Sequence, residues 1–145
     1  MDKHGVKKIP GMVDVTVRGE KGTHLRSRWV ANDIGNKDWP AIEHMIVSMF
    51  DLLKKNGYIV DPHWLLQEAD DVDECFHGEM LAITWGLVHS SPHTPIYLSK
   101  NLRICGNCHE ASKLISKLYG RDVYARDANR HHHVSEGKCS CGDYW

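Results

Sequence analysis

His77-Gly78-Glu79 and, further on, Cys105-Gly106-Asn107-Cys108 are the residues in this chain best suited by type and spacing to do chemistry. One imidazole and two thiolates supply three ligands to a tetrahedral zinc ion and leave its fourth position to water. Zinc brings the pKa of that water toward neutrality, so hydroxide is at hand at physiological pH. Glu79, two residues past the histidine, can sit beside the water without binding the metal and carry protons between water and substrate. The same ligands could instead close a structural zinc with Cys75 or His109 as the fourth, but such a site has no use for a carboxylate at Glu79.

A second histidine and cysteine cluster lies near the end, in Arg130-His131-His132-His133 and Cys139-Ser140-Cys141. Cysteines two apart face one metal if the backbone between them is extended. Gly137 permits a turn back toward the histidines. From residue 129 onward there are too few apolar side chains to pack alone, so a metal staple would supply much of the order of this tail.

Eleven histidines and five cysteines stand out in an otherwise ordinary composition. Tight cysteine pairs among histidines read as metal ligation in a reducing compartment rather than as disulfides. The length of 145 residues allows one domain with a real core, or one domain plus a small appendage. A net charge of −1 argues against a polyanion-binding surface over the whole chain, although residues Lys100, Arg103, Lys113 and Lys117 offer a local basic face. No apolar run reaches the roughly 20 residues that span a bilayer. Met1-Asp2-Lys3-His4 has neither the apolar core of a secretory signal nor the character of a transit peptide. Either the protein stays where it is made, or this is a piece of a longer chain with its address upstream.

The elements that must position these residues follow from periodicity. Residues 13–18 alternate and predict a strand, 19–22 a turn, and 25–31 a second strand, together a hairpin. Residues 40–56 predict a helix with Asp38 as N-cap, Pro40 in its first turn, and Ile42, Met45, Ile46, Met49, Phe50 and Leu53 inward. Residues 58–66 read as a partly extended connection, and the acidic stretch 68–74 as a solvated entrance to the helix that carries His77 and Glu79. That helix is apolar nearly all round, which predicts deep burial. A strand is expected over 96–104, then a helix from the two cysteines to Gly120 and a strand over 122–127. A C-x-x-C at a helix N-terminus brings both sulfurs to one point, where the dipole and free N–H groups favour thiolates. This order predicts an α/β sandwich with three parts: residues 1–38, a core over 39–128, and a metal-binding tail over 129–145.

His-x-Glu followed by Pro-Cys-x-x-Cys is the signature of zinc nucleobase deaminases, in which water attacks C4 of cytosine and ammonia leaves. Here Ile104 takes the place of the proline. Cys139-Ser140-Cys141-Gly142-Asp143-Tyr144-Trp145 resembles the end of the DYW domain of plant-type pentatricopeptide-repeat RNA editing factors. Lys100-Asn101-Leu102-Arg103-Ile104-Cys105-Gly106-Asn107-Cys108-His109 and Arg126-Asp127-Ala128-Asn129-Arg130 resemble that family's motifs, and Ile9-Pro10-Gly11 its PG box.

The resemblance covers nearly the whole chain. It implies a cytidine-deaminase-like α/β/α sandwich and C-to-U editing of RNA, a hydrolysis of the C–N bond of a cyclic amidine by zinc-bound hydroxide. It implies two Zn²⁺ per chain, one catalytic and one structural. By position, His77, Cys105 and Cys108 match the ligands of the catalytic zinc and Glu79 its proton shuttle. Cys139 and Cys141, with one or both of His132 and His133, match the structural site, while His131 stands where the family has an aromatic residue. The implied partners are a single-stranded RNA containing the target cytidine and an upstream repeat array in cis or in trans, with neither DNA nor membrane. The implied location is the mitochondrion or the chloroplast.

The chain departs from the family pattern at Gly78, at Met80 in place of a lysine, and in the segments 27–33 and 37–40. Three other readings compete with C-to-U editing. They are U-to-C conversion at the same zinc, a catalytically silent zinc-stabilised RNA- or protein-binding module, and a deaminase of free nucleosides. Trp29, Trp39 and Trp64 are candidates for stacking beside a flipped base, with buried packing as their alternative use.

Overall fold

The computed structural model describes residues 11–31, 33–58, 77–104, 106–128 and 130–142. Outside the described residues lie Ile9 and Pro10, the segment 59–66 with Trp64, the acidic stretch 68–74 with Cys75, Cys105, and Asp143-Tyr144-Trp145.

The alternation near the start forms β1 (Met12–Arg18) and β2 (His24–Val30), paired antiparallel from Met12↔Val30 to Arg18↔His24. Val13, Val15 and Val17 point inward while Asp14 and Arg18 face solvent. The hairpin is not an appendage, because β1 pairs on its other edge with β3 (Ile96–Lys100). Six strands form one sheet in the order β2-β1-β3-β4-β5-β6, with β4 at Val123–Arg126, β5 at His131–Ser135 and β6 at Lys138–Cys139. Among the described strands only β3 and β4 run parallel, and a parallel pair needs a crossover connection between its strands.

Among the described residues, three helices lie on the inward side of this sheet: α1 (Trp39–Lys55), α2 (Gly78–His89) and α3 (Gly106–Tyr119), the last being the β3-to-β4 crossover. In α2 every residue from Gly78 to Leu87 is buried. Its all-round apolar surface requires partners on two sides, and it has them, since it packs on β1, β2 and β3 below and on α1 above. α1 presents Ile42, Ile46, Met49 and Leu53 to that core, the face expected from its period. Asp38 stands at its N-terminus but makes no capping hydrogen bond; its carboxylate instead accepts one from Ser27 Oγ at 3.1 Å. Among the described residues the opposite face of the sheet carries no helix. The fold is mixed α/β.

Two boundaries differ from the sequence reading. β3 ends at Lys100 rather than running to residue 104. Asn101 turns the chain there: its Oδ1 accepts from Met12 N at 2.8 Å and its own N–H donates to Met12 O. The tail contains a hairpin, β5 and β6, in place of an irregular segment. Glu136 and Gly137 form its two-residue turn with φ of 51° and 84°. Two positive φ values are the geometry that matches strand twist, and glycine adopts it without steric cost.

Candidate active site

α2 begins at the end of the sheet where β3 stops, and its first turn carries the chemistry. His77 takes the N-cap position with extended backbone, and its carbonyl accepts from Met80 N and Leu81 N. Glu79 follows in the first turn, where the positive end of the helix dipole favours a carboxylate. Across from it, Cys108 lies in the first turn of α3 with its Sγ 3.3 Å from His77 Nδ1. Donor atoms of His77, Glu79 and Cys108 lie within 4.8 Å of one another, and all three residues are buried. Cys105, the other expected thiolate, lies outside the described residues.

Lys100 Nζ donates to Glu79 Oε2 at 2.9 Å, with both side chains only 2% exposed. Lys100 therefore points inward from β3 and does not belong to a surface basic face, as its sequence neighbourhood had implied. The other oxygen, Glu79 Oε1, is buried without a hydrogen-bond partner. Burying a carboxylate is costly unless it is paired, and removing one partner of such a pair typically costs about 3–5 kcal/mol. Lys100 thus holds one oxygen in place and leaves the other without a hydrogen bond.

The second group lies farther along the sheet. It unites His109 from α3, His132 from β5, Cys139 from β6, and Cys141, with donor atoms again within 4.8 Å of one another. Cys139 Sγ is 3.4 Å from His132 Nδ1, and Cys141 Sγ is 3.3 Å from His109 Nε2. Two sulfurs and two imidazole nitrogens are a donor set that suits a closed tetrahedral zinc.

The sequence reading offered His133 for this group, and the structure puts His109 there instead. The reason is strand geometry: successive side chains on β5 point to opposite faces. His132 is buried, while His133 is on the outer face, 3.1 Å from Asp122 Oδ2. Hydrogen bonds from Ser135 and then His133 hold the Asp122 carboxyl below its usual range.

Asp127 is a member of the surroundings that the sequence reading quoted only as part of a motif. Its Oδ2 lies 3.3 Å from His132 Nε2 and accepts from Ile104 N at 3.1 Å, and its Oδ1 accepts from Arg130 N at 2.9 Å. A carboxylate on the far nitrogen fixes the ring so that Nδ1 faces the sulfur. Trp29 is fully buried and Trp39 packs against the core, so these two have the packing use; Trp64 lies outside the described residues.

A sheet protein that gathers histidine, cysteine and a buried glutamate at the N-terminal turns of two helices is built as deaminases of the cytidine-deaminase-like fold are. Residues 57–145 match the DYW family of nucleic acid deaminases, and the chain belongs to that family. The chain is 41% identical, over its full length, to the pentatricopeptide repeat-containing protein At5g66520 of Arabidopsis thaliana, of which it covers 23%. It is 38% identical over its full length to At4g33170 of the same plant, named likewise, and covers 14% of that protein. A third relative, the chloroplastic pentatricopeptide repeat-containing protein At1g08070, is 39% identical, with all of this chain and 19% of the relative covered.

Proposed function

We propose that the chain is an RNA cytidine deaminase domain that converts C to U at sites chosen by an upstream pentatricopeptide-repeat array. The observation that carries this reading is Glu79. It is a buried carboxylate with one oxygen anchored by Lys100 and the other without a hydrogen bond, next to His77 and Cys108. A zinc site with a purely structural task has no need of it.

His77 and Cys108, with Cys105, would hold the catalytic zinc, and the donor set fits that ion. Bound there, zinc supplies water acidic enough to react at neutral pH. Glu79 Oε1 takes a proton from the attacking water and delivers it to N3 of the cytosine. As the oxygen bonds to C4, the remaining hydroxyl proton passes by the same carboxylate to the exocyclic amine. The C4–N4 bond breaks, ammonia leaves and uracil remains. Lys100 keeps Oε2 in one position, so the proton shuttles through Oε1. His109, His132, Cys139 and Cys141 would hold a second, structural zinc.

The relatives' names support the repeat array, as does the chain's coverage of a quarter or less of each, and membership of a family of nucleic acid deaminases supports a nucleic-acid substrate. Names marked chloroplastic support an organellar location, chloroplast or mitochondrion. The test is to fuse the chain to a repeat array of known target, express it with that RNA in bacteria, and sequence the transcripts. C-to-U conversion that falls at least 1,000-fold in Glu79→Ala, with zinc content unchanged, is the expected result. Loss of zinc in that variant would show Glu79 to be a ligand. U-to-C conversion would assign the reverse reaction to the same site, and a fused, zinc-loaded chain that edits in neither direction would overturn the reading.

A further inference from the structure

The outer face of the sheet carries a column of rings. Tyr97 on β3 stacks on Tyr124 of β4 with centroids 5.3 Å apart and planes 17° from parallel. Tyr124 stacks in turn on His133 of β5 at 4.3 Å and 10°. These are cross-strand partners, Tyr97↔Tyr124 and Tyr124↔His133, so the strand spacing of about 4.8 Å sets the column's repeat. The tyrosines are 47% and 38% exposed.

The column stops at Tyr97. Its partner on β1 is Thr16, which has no ring, and the partner of Thr16 on β2 is Arg26. A groove of about 520 Å³ opens at this point, lined by Thr16 and Tyr97 among others. A second groove beside Arg26 shares Thr16 with it, and a third beside Tyr124 and Arg126 shares Tyr97, so neighbouring grooves follow one another from β2 to β5. Thr16 thus has Tyr97 as its neighbour on β3 and Arg26 as its neighbour on β2, with open space between Thr16 and Tyr97.

Charge on this face points the same way. Arg18, Arg26 and Arg126 are exposed and have no carboxylate partner among the described residues. Asp14 is already engaged by Arg28 at 2.7 Å, and Asp122 by Ser135 and His133. Surplus guanidinium beside exposed aromatic rings is the chemistry that holds single-stranded nucleic acid, with phosphates on the cations and bases on the rings.

We propose that this outer face binds single-stranded RNA flanking the edited nucleotide, with one base stacked on Tyr97 above Thr16. The inference rests on the deaminase reading for the identity of its ligand. Tyr97 lies three residues before Lys100 on the same strand and on its opposite face, about 10 Å from the residue that anchors Glu79. RNA held here would have to pass the end of β3 to bring its target base to the Glu79 carboxylate.

The experiment titrates the zinc-loaded chain into a fluorescein-labelled RNA decamer of uridine and cytidine and follows anisotropy. Tyr97→Ala is expected to weaken binding about 5- to 150-fold, the range for losing one stacked base, while Tyr97→Phe binds as the parent does. Arg26→Gln is expected to reduce the slope of affinity against salt by about one phosphate contact. Equal affinity of Tyr97→Ala and the parent, at equal thermal stability, overturns the proposal. So does a parent chain that binds no RNA, which would leave this face to a protein partner. Editing that depends on Glu79 but is indifferent to Tyr97→Ala sinks this surface and spares the deaminase reading. RNA binding that depends on Tyr97 in a chain that never edits does the reverse.

Discussion

His132 and His133 are adjacent and chemically identical, yet one faces the second group of donor atoms and the other stacks on Tyr124 outside the sheet. Replacing His109 with alanine should therefore remove one zinc per chain by elemental analysis, and replacing His133 should remove none. A zinc count lowered by His133→Ala but not by His109→Ala would reverse that assignment. Spacing made Cys139 and Cys141 legible as a pair, because residues two apart share a face of an extended chain. It could not choose between two consecutive histidines without knowing that they lie on a strand. His109 was readable only as an alternative fourth ligand for the first group, since nothing in the sequence says that α3 passes beside β5. Lys100 looked like a surface cation for a similar reason. A lysine in a basic stretch is nearly always solvated, and only its position beneath α2 makes it the partner of Glu79.

The elements were most legible where period and burial agree. The run from Met80 to Val88 has no polar stripe, and α2 is accordingly buried between the sheet and α1. Its close seat depends on Gly86. A Cβ there would stand 3.0 Å from Ile96 Cγ2 and 3.2 Å from Val17 Cγ1. Alanine gains up to about 1 kcal/mol of helix propensity over glycine. Overpacking against two β-branched side chains with restricted rotamers costs about 1–3 kcal/mol. Gly86→Ala should thus lower stability by roughly 1 kcal/mol in denaturant unfolding, whereas an unchanged or raised midpoint would mean that α2 can shift. The β5 and β6 strands escaped the sequence reading because His132, an inward position, looks polar. The alternation of His132 and Val134 becomes visible only once the histidine is seen to be buried.

At the scale of the molecule, hairpin, core and tail share one sheet, so hydrogen bonding runs unbroken from β2 to β6. The composition did mark these three stretches, but it carried no sign that β1 would sit against β3, because long-range pairing leaves no local pattern. The two donor groups meet on α3. Cys108 belongs to one and His109 to the other, and consecutive residues on a helix diverge by about 100° around its axis. One turn of backbone therefore serves both, and an ion that fixes this turn from either side spares the other site the entropy of ordering it. Loading should then be mutually reinforcing, with each ion raising the affinity for its counterpart by the same factor. A zinc titration against a coloured chelator should show Cys139→Ala weakening the remaining site, and an unaltered remaining affinity would mean that the sites load independently. With such reciprocity the chain would respond to scarce metal as a threshold device, passing from empty to fully loaded over a narrower span of zinc than two independent sites.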